Sequence, residues 1–83
     1  AHSALTVTRK DGTGMAFSAE LRLAKETDAE LLVYDTSGRL LSRTDMAGGT
    51  IKRADFTVPQ TGVYVVKALT LEEEFTRKIM ANY

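Results

Sequence analysis

The fold class is decided by one stretch of the sequence, Phe56-Thr57-Val58-Pro59-Gln60-Thr61-Gly62-Val63-Tyr64-Val65-Val66-Lys67. Apolar and polar side chains alternate up to Val58, a Pro/Gly turn follows, and the run after the turn is the richest in strand-forming residues. Alternation with a period of two is typical of a strand with one face on a core and the other in water. The stretch therefore predicts two strands of an antiparallel β-structure.

The same pattern extends along the rest of the chain. Turn signals separate the apolar runs at close spacing, for example Asp35-Thr36-Ser37-Gly38 and Ala47-Gly48-Gly49. The pattern predicts an all-β fold, an immunoglobulin-like antiparallel β-sandwich of about seven strands, with residues 1–83 as a single domain. The predicted strands lie near residues 5–7, 15–23, 31–34, 40–41, 51–58, 63–66 and 75–80.

Two segments carry a competing helical pattern. Residues 19–32 are rich in Ala, Leu, Glu and Lys, which are good helix formers. Thr70-Leu71-Glu72-Glu73 fits a capping box, and Leu71, Phe75 and Ile79 have helical spacing. A short helix over residues 70–80 is therefore an alternative to the last strand, and it would remove one strand from the sandwich.

Charge and composition exclude several classes of function. Eleven Lys and Arg balance eleven Asp and Glu, whereas binding to nucleic acid or to an anionic membrane needs a basic excess. No apolar run approaches the ~20 residues of a membrane helix. The chain has no Cys for a disulfide or a Cys-based metal site. Because the sequence starts at Ala1 rather than Met, we expect it to be an excised or processed part of a longer protein.

The sequence offers no convincing catalytic or metal site. The single histidine, His2, lies near the N-terminal end, where nothing positions it as a base. No serine lies in a Gly-x-Ser-x-Gly elbow, so a nucleophile has no visible activator. We interpret Asp35, Asp45 and Asp55 as strand-end residues that satisfy backbone groups rather than as a calcium cluster. We therefore expect a protein that is not an enzyme and binds no metal or cofactor.

Two stretches and the end of the chain indicate a protein family more specifically than the composition does. Leu32-Val33-Tyr34-Asp35-Thr36-Ser37-Gly38-Arg39-Leu40-Leu41 contains an apolar strand, a tight turn, an arginine and another strand, and the stretch quoted at the outset follows it. The last strand reads Phe75-Thr76-Arg77-Lys78-Ile79-Met80. In this order, the stretches resemble the C-terminal sorting domain of cargo exported by the Bacteroidetes type IX (Por) secretion system, over about residues 29–80.

The resemblance implies a non-catalytic address that is read as a folded module and directs its parent protein across the outer membrane. The implied partners are secretion machinery proteins at the outer membrane and the upstream cargo domain of the same chain. The implied location is the periplasm in transit, then the outer membrane, the cell surface or the medium. The sequence departs from the family pattern at Val58, at Thr61 and in its Ala81-Asn82-Tyr83 ending. A retained domain of a surface component of the machinery therefore stays open as a variant.

A neutral domain lacks long-range attraction, so recognition requires an exposed strand edge or a turn-rich end. We predict that the last strand is the main contact surface and that the turn before Arg39 is a secondary one. An edge strand can add to a partner sheet, and it can join two copies of the chain in a homodimer. The predicted recognition residues are Gly38, Arg39, Arg77, Lys78, Ile79 and Met80.

The segment from Pro59 to Tyr64 also has a purely structural interpretation. It fits the tyrosine corner of fibronectin type III and other immunoglobulin-like sandwiches, in which the tyrosine hydroxyl bonds back to nearby backbone. The chain would then be a passive spacer or accessory module of a multidomain surface enzyme. A carbohydrate-binding module should show exposed aromatic side chains, and Tyr83 is the one plausible candidate in this sequence.

Overall fold

The computed structural model describes residues 3–10 and 14–82. Within these residues the chain forms eight β-strands and no helix. The strands are β1 (Ala4–Arg9), β2 (Ala16–Arg22), β3 (Glu30–Asp35), β4 (Leu40–Asp45), β5 (Ala47–Gly48), β6 (Ile51–Thr57), β7 (Gly62–Leu69) and β8 (Glu74–Ala81). The predictions for His2 and Tyr83 lie outside the described residues.

The strands form two antiparallel sheets of four strands each. The strand orders are β1-β2-β6-β5 and β4-β3-β7-β8. Taken in chain order, the strands correspond to A, B, C, C′, D, E, F and G of the immunoglobulin fold, so the sheets are ABED and C′CFG. The prediction of an immunoglobulin-like antiparallel β-sandwich is confirmed.

The core lies between the sheets because alternate side chains of each strand point inward. On β2, Phe17, Ala19 and Leu21 are buried, and the residues between them face outward. The rings of Phe17 and Phe56, which are paired across β2 and β6, stack with centroids 5.4 Å apart. The largest fully buried side chains come from both sheets: Leu5, Leu21, Leu31, Val33 and Val66.

The eighth strand, β5, lies where the sequence predicts only a turn. Its two residues pair with Arg53 and Lys52 of β6. Gly48 permits this close approach, because its φ is +121° and a Cβ there would collide with the carbonyl oxygen of Ile51. Lys52 is buried, and its Nζ donates to the carbonyl oxygen of Gly48 at 2.8 Å.

The helical alternative for residues 70–80 is wrong. The hydroxyl of Thr70 accepts the N–H groups of Glu72 and Glu73, as a helix N-cap would. However, the N–H of Thr70 donates to the carbonyl of Glu73 at 2.9 Å, which turns the chain back on itself. β8 then pairs with β7 over eight residues, so the strand ladder outweighs the local helical propensity.

The two sheets differ in the side chains that they present outward. We call the outward side of β1-β2-β6-β5 the polar face; it carries Thr6, Thr8, Ser18, Glu20, Arg53 and Asp55. We call the outward side of β4-β3-β7-β8 the apolar face; it carries Leu32, Tyr34, Val63, Val65, Leu69 and Met80. Leu32 is only 2% exposed, although it does not belong to the core cluster between the sheets.

Candidate functional site

The three stretches that carry the family resemblance meet in one row of the β4-β3-β7-β8 sheet. Asp35, the last residue of β3, is paired with Tyr64 of β7. Tyr64 is in turn paired with Ile79 of β8. The turn after β3, the turn before β7 and the end of β8 therefore lie at the same end of the sandwich. We call this end, formed by residues 35–39, 58–64 and 79–82, the motif end.

The turn after β3 is built around the carboxylate of Asp35. Its Oδ1 accepts the hydroxyl of Ser37 at 2.6 Å and the N–H groups of Ser37 and Arg39, each at 3.0 Å. These hydrogen bonds, above all that from the Ser37 hydroxyl, lower the pKa of Asp35. Gly38 has a φ of +89° and donates its N–H to the carbonyl of Asp35 at 3.1 Å. The predicted tight turn with glycine at a positive φ is confirmed.

Arg39 leaves this turn with an exposed side chain. Its Nε lies 3.2 Å from Oδ2 of Asp35, and the side chain is 76% exposed. An ion pair this exposed contributes little to stability, since water competes for both partners. No described residue accepts the remaining N–H groups of this guanidinium, so they are available to a carboxylate of a binding partner.

Tyr64 forms a tyrosine corner with the turn before β7. Its ring is buried, and its hydroxyl donates to the carbonyl oxygen of Gln60 at 2.7 Å. This bond satisfies the hydroxyl and ties the start of β7 to the preceding turn. The structural interpretation of Pro59 to Tyr64 is therefore confirmed for Tyr64 itself.

The side chains of β8 differ in exposure. Ile79 is half-buried and packs against the core, whereas Arg77, Lys78 and Met80 are exposed. Lys78 and Met80 lie on the apolar face, in register with Val65 and Val63 of β7. Of the predicted recognition residues on β8, Arg77, Lys78 and Met80 are therefore accessible to a partner, whereas the side chain of Ile79 packs against the core.

The outward backbone edge of β8 is partly covered by guanidinium groups. The carbonyl of Met80 accepts Nη2 of Arg9 at 3.0 Å, and that of Thr76 accepts Nη1 of Arg77 at 2.8 Å. Arg9 also donates Nη1 to Oδ1 of Asn82 at 3.0 Å. A strand that added to this edge would have to displace both guanidinium groups.

The three aspartates at ten-residue spacing, Asp35, Asp45 and Asp55, have different surroundings. Asp35 satisfies backbone groups at a strand end, as predicted. Asp45 ends β4, and its side chain makes no hydrogen bond or ion pair with any described residue. Asp55 lies inside β6 and pairs with Lys10 at 3.0 Å, so the strand-end interpretation is wrong for it. Hydrogen bonds from Lys10 and then Ser18 lower the pKa of Asp55.

Comparisons with known proteins concern the fold alone. No protein-family model matches the chain, and no curated protein is significantly similar to its sequence. Among solved structures, the chain is similar to the crystal structure of the hypothetical protein PH1083 from Pyrococcus horikoshii OT3. The TM-score is 0.55 at 9% identity, and the match covers 99% of this chain and 90% of that chain.

Metal sites and membrane-spanning helices are absent from the part of the chain that the structure describes. No group of three His, Cys, Asp or Glu side chains there could hold a metal ion. No helix in those residues has the length and hydrophobicity needed to cross a membrane. At the motif end, the two turns line a shallow depression of about 290 Å³ that includes Asp35, Ser37 and Gln60.

The predicted recognition residues lie on opposite edges of one sheet. Gly38 and Arg39 precede β4 at one edge, and residues 77–80 belong to β8 at the other. With β3 and β7 between them, the edges are about 14 Å apart, which is three strand spacings of ~4.8 Å. A partner that contacts both sets must span the sheet, and the role of these residues stays a prediction.

Sequence reasoning missed the contacts of Arg9. Arg9 and Asn82 are 73 residues apart, and Arg9 and Met80 are 71 apart. No local pattern marks such a pair, because the contact depends on how two different sheets stack. The proximity of the first and last strands follows only from the assembled sandwich.

Proposed function

We propose that this chain is a non-catalytic C-terminal sorting domain that directs its parent protein through the type IX secretion system across the outer membrane. The observation that carries the proposal is the row formed by Asp35, Tyr64 and Ile79. This row brings the two turns and the end of β8 to one end of the sandwich, and a signal that is read as a folded module needs its recognition elements close together. The stretches that carry the resemblance are separated in sequence and meet at the motif end only after folding.

The motif end suits recognition by shape. Three hydrogen bonds to Asp35 hold one turn, and the tyrosine corner of Tyr64 holds the neighbouring turn. Turns that are already fixed lose little conformational entropy on binding. Because the net charge is zero, short-range contacts to Arg39 at the motif end and to Lys78 beside it supply specificity, and long-range attraction does not.

In this proposal the partners are secretion machinery proteins at the outer membrane, and a cargo domain precedes the sandwich in the same chain. The domain passes through the periplasm in its folded state. It then reaches the outer membrane, the cell surface or the medium with its cargo.

A reporter fusion tests the proposal. The chain is placed behind a periplasm-directed fluorescent reporter in a Bacteroidetes host with a type IX system, and surface and medium fluorescence are measured. The intact domain should export the reporter. Arg39→Glu and Lys78→Glu should each lower export about tenfold, which corresponds to roughly 1.4 kcal/mol of contact free energy. A reporter that stays periplasmic behind the intact domain would contradict the proposal.

Lys25→Glu is the matched control, because Lys25 is also exposed, and its 4.0 Å contact with Glu72 lies at the opposite end of the sandwich. Its export should equal that of the intact domain. Point variants are preferable to deleting the last five residues, since that deletion removes Ile79 and the buried Ala81 from the core. Circular dichroism of each purified variant checks that the fold is retained.

A passive spacer module is the second candidate, and the tyrosine corner favours it. The bond from Tyr64 to Gln60 gives the segment from Pro59 to Tyr64 a packing role that needs no partner. A spacer would leave the reporter in the periplasm, and the charge variants would then behave like the intact domain.

A further inference from the structure

Apolar side chains from all four strands form a continuous patch on the apolar face. Met80 is 56% exposed and Leu40, which is paired with Tyr34, is 44% exposed. Tyr34, Val63 and Val65 are half-buried beside them. Contiguous apolar side chains on a flat sheet are typical of a surface that another protein covers.

Only two charged groups on this face lack a partner among the described residues. Arg43 lies 3.8 Å from Glu30, and Lys67 lies 3.4 Å from Glu74, so these four charges are balanced within the chain. The two that remain are Asp45, in register with Glu30, and Lys78, in register with Val65. The face therefore offers one unpaired anion and one unpaired cation.

Asp45 and Lys78 lie at diagonally opposite corners of the face. Asp45 is on β4 and Lys78 is on β8, which are the two edge strands of the sheet and about 14 Å apart. Lys78 is paired with Val65 of β7, which is paired with Tyr34 of β3, whereas Asp45 is paired with Glu30 of β3. These positions differ by four residues along β3, or about 13 Å.

We propose that the apolar face packs against the same face of a second copy of this chain, in a two-fold dimer. The two-fold axis lies in the plane between the two copies, at about 45° to the strands, and it exchanges the corners that hold Asp45 and Lys78. The angle is about 45° because the two residues are separated by nearly equal distances across the strands (about 14 Å) and along them (about 13 Å). Lys78 of each copy then lies against Asp45 of the other. The strands of the two copies cross at about 90°, which is one of the two preferred ways in which sheets pack.

A second copy fits this surface better than a charged partner would. Both unpaired charges are satisfied by the same face, and the net charge of zero means that two copies do not repel one another. Because the two faces cross at about 90°, they overlap over about four strand widths, or ~19 Å, in each direction, which gives a footprint of about 370 Å². This is smaller than the ~800 Å² per partner of a stable complex, so the dimer should be weak, with a Kd on the order of 10–100 μM.

Sedimentation equilibrium of the 83-residue chain tests the proposal, at protein concentrations from about 5 to 500 μM, a range chosen to bracket that Kd. The unmodified chain should shift from monomer to dimer across this range. Lys78→Asp and Asp45→Lys should each weaken the dimer about tenfold, because each change replaces two attractions by two repulsions. The combined variant, Lys78→Asp with Asp45→Lys, should restore the Kd to within about threefold.

Two further variants separate surface effects from folding effects. Val65→Lys, at the centre of the apolar face, should abolish dimerisation. Thr57→Lys, an exposed position on the polar face, should leave it unchanged. Circular dichroism checks that each variant is folded. A chain that stays monomeric at the highest concentration overturns the proposal, and so does a combined charge swap that fails to restore the dimer.

Discussion

The polar and apolar faces cover sheets of the same architecture and both carry ion pairs, but the apolar face adds a cluster of Leu, Val, Tyr and Met side chains. On the polar face, Glu20 pairs with Arg22 of the same strand at 2.9 Å and with Arg53 of the neighbouring strand at 3.1 Å, so opposite charges balance one another. On the apolar face, Leu32 is buried and Val65 is half-buried outside the core. The inward faces of both sheets are mainly apolar, with Lys52 as the buried charged residue among the described ones. The two sheets therefore differ mainly in the side chains that they present to their surroundings.

The contrast originates in β3 and β7. β2 alternates between apolar and polar residues, whereas Leu31-Leu32-Val33-Tyr34 is apolar throughout. Such a continuous run is typical of a strand that is covered on both sides. Within the chain, the outward cover of Leu32 comes from its cross-strand neighbours Arg43 and Lys67.

The largest expected effect is that of Leu32→Ala. Leu32 is as buried as a core residue, so its truncation should lower the free energy of unfolding by about 2 kcal/mol. Thr6→Ala, on the polar face, should cost less than about 1 kcal/mol. Urea denaturation followed by circular dichroism measures both. Equal costs would mean that the two faces do not differ energetically.

Lys67→Ala tests how the apolar face is covered. The Nζ of Lys67 lies 5.7 Å from the centroid of the Tyr34 ring, and the aliphatic stem lies beside Leu32. Loss of this cover and of the cation–π contact should cost about 1 kcal/mol. Lys10→Ala removes an exposed pair from the polar face and should cost about 0.3 kcal/mol in the same denaturation experiment. A larger cost for Lys10→Ala would reverse the comparison.

Glu20→Gln tests the ion pairs of the polar face. It removes the charge that pairs with Arg22 and Arg53, and it should cost about 0.5 kcal/mol at low salt. At about 1 M NaCl the difference should vanish, because salt screens exposed charges. A salt-independent loss would show that Glu20 acts by packing instead.

The smallest expected effect is a pH dependence on the polar face. The pKa of Asp55 is lowered in the folded state, so its contribution is complete above the ordinary value of about 3.9 and is lost as the pH falls through the lowered pKa. Asp55→Asn should therefore flatten the loss of stability below about pH 4. Asp45→Asn is the control, because Asp45 has no partner within residues 3–10 and 14–82. Chemical denaturation at pH 2.5 to 7, a window set around that ordinary value, distinguishes the two.

Period-two patterns and turn residues predicted most of the fold. Seven of the eight strands lie where apolar alternation or a continuous apolar run places them, and the turn from Asp35 to Gly38 has the predicted geometry. The helical alternative failed because Thr70 makes the same local hydrogen bonds at a turn that it would make at a helix start. Only the ladder with β7, which is a non-local interaction, distinguishes these outcomes.

The site was predictable in its parts but not in its arrangement. The sequence indicated the residues of both turns and of β8. Sequence spacing does not reveal register, so the row of Asp35, Tyr64 and Ile79 emerges only from strand pairing. For the same reason, the sequence did not show that Arg39 and Lys78 lie on opposite edges, or that Lys78 shares a face with Asp45.

The contact of Arg9 with Met80 and Asn82 has a consequence for folding kinetics. It joins the first strand to the last across more than seventy residues, so we expect it to form after the pairs between strands that are close in sequence. Interactions that are absent from the transition state slow unfolding without changing the folding rate. We therefore expect that loss of the Arg9 contacts would speed unfolding more than it would slow folding.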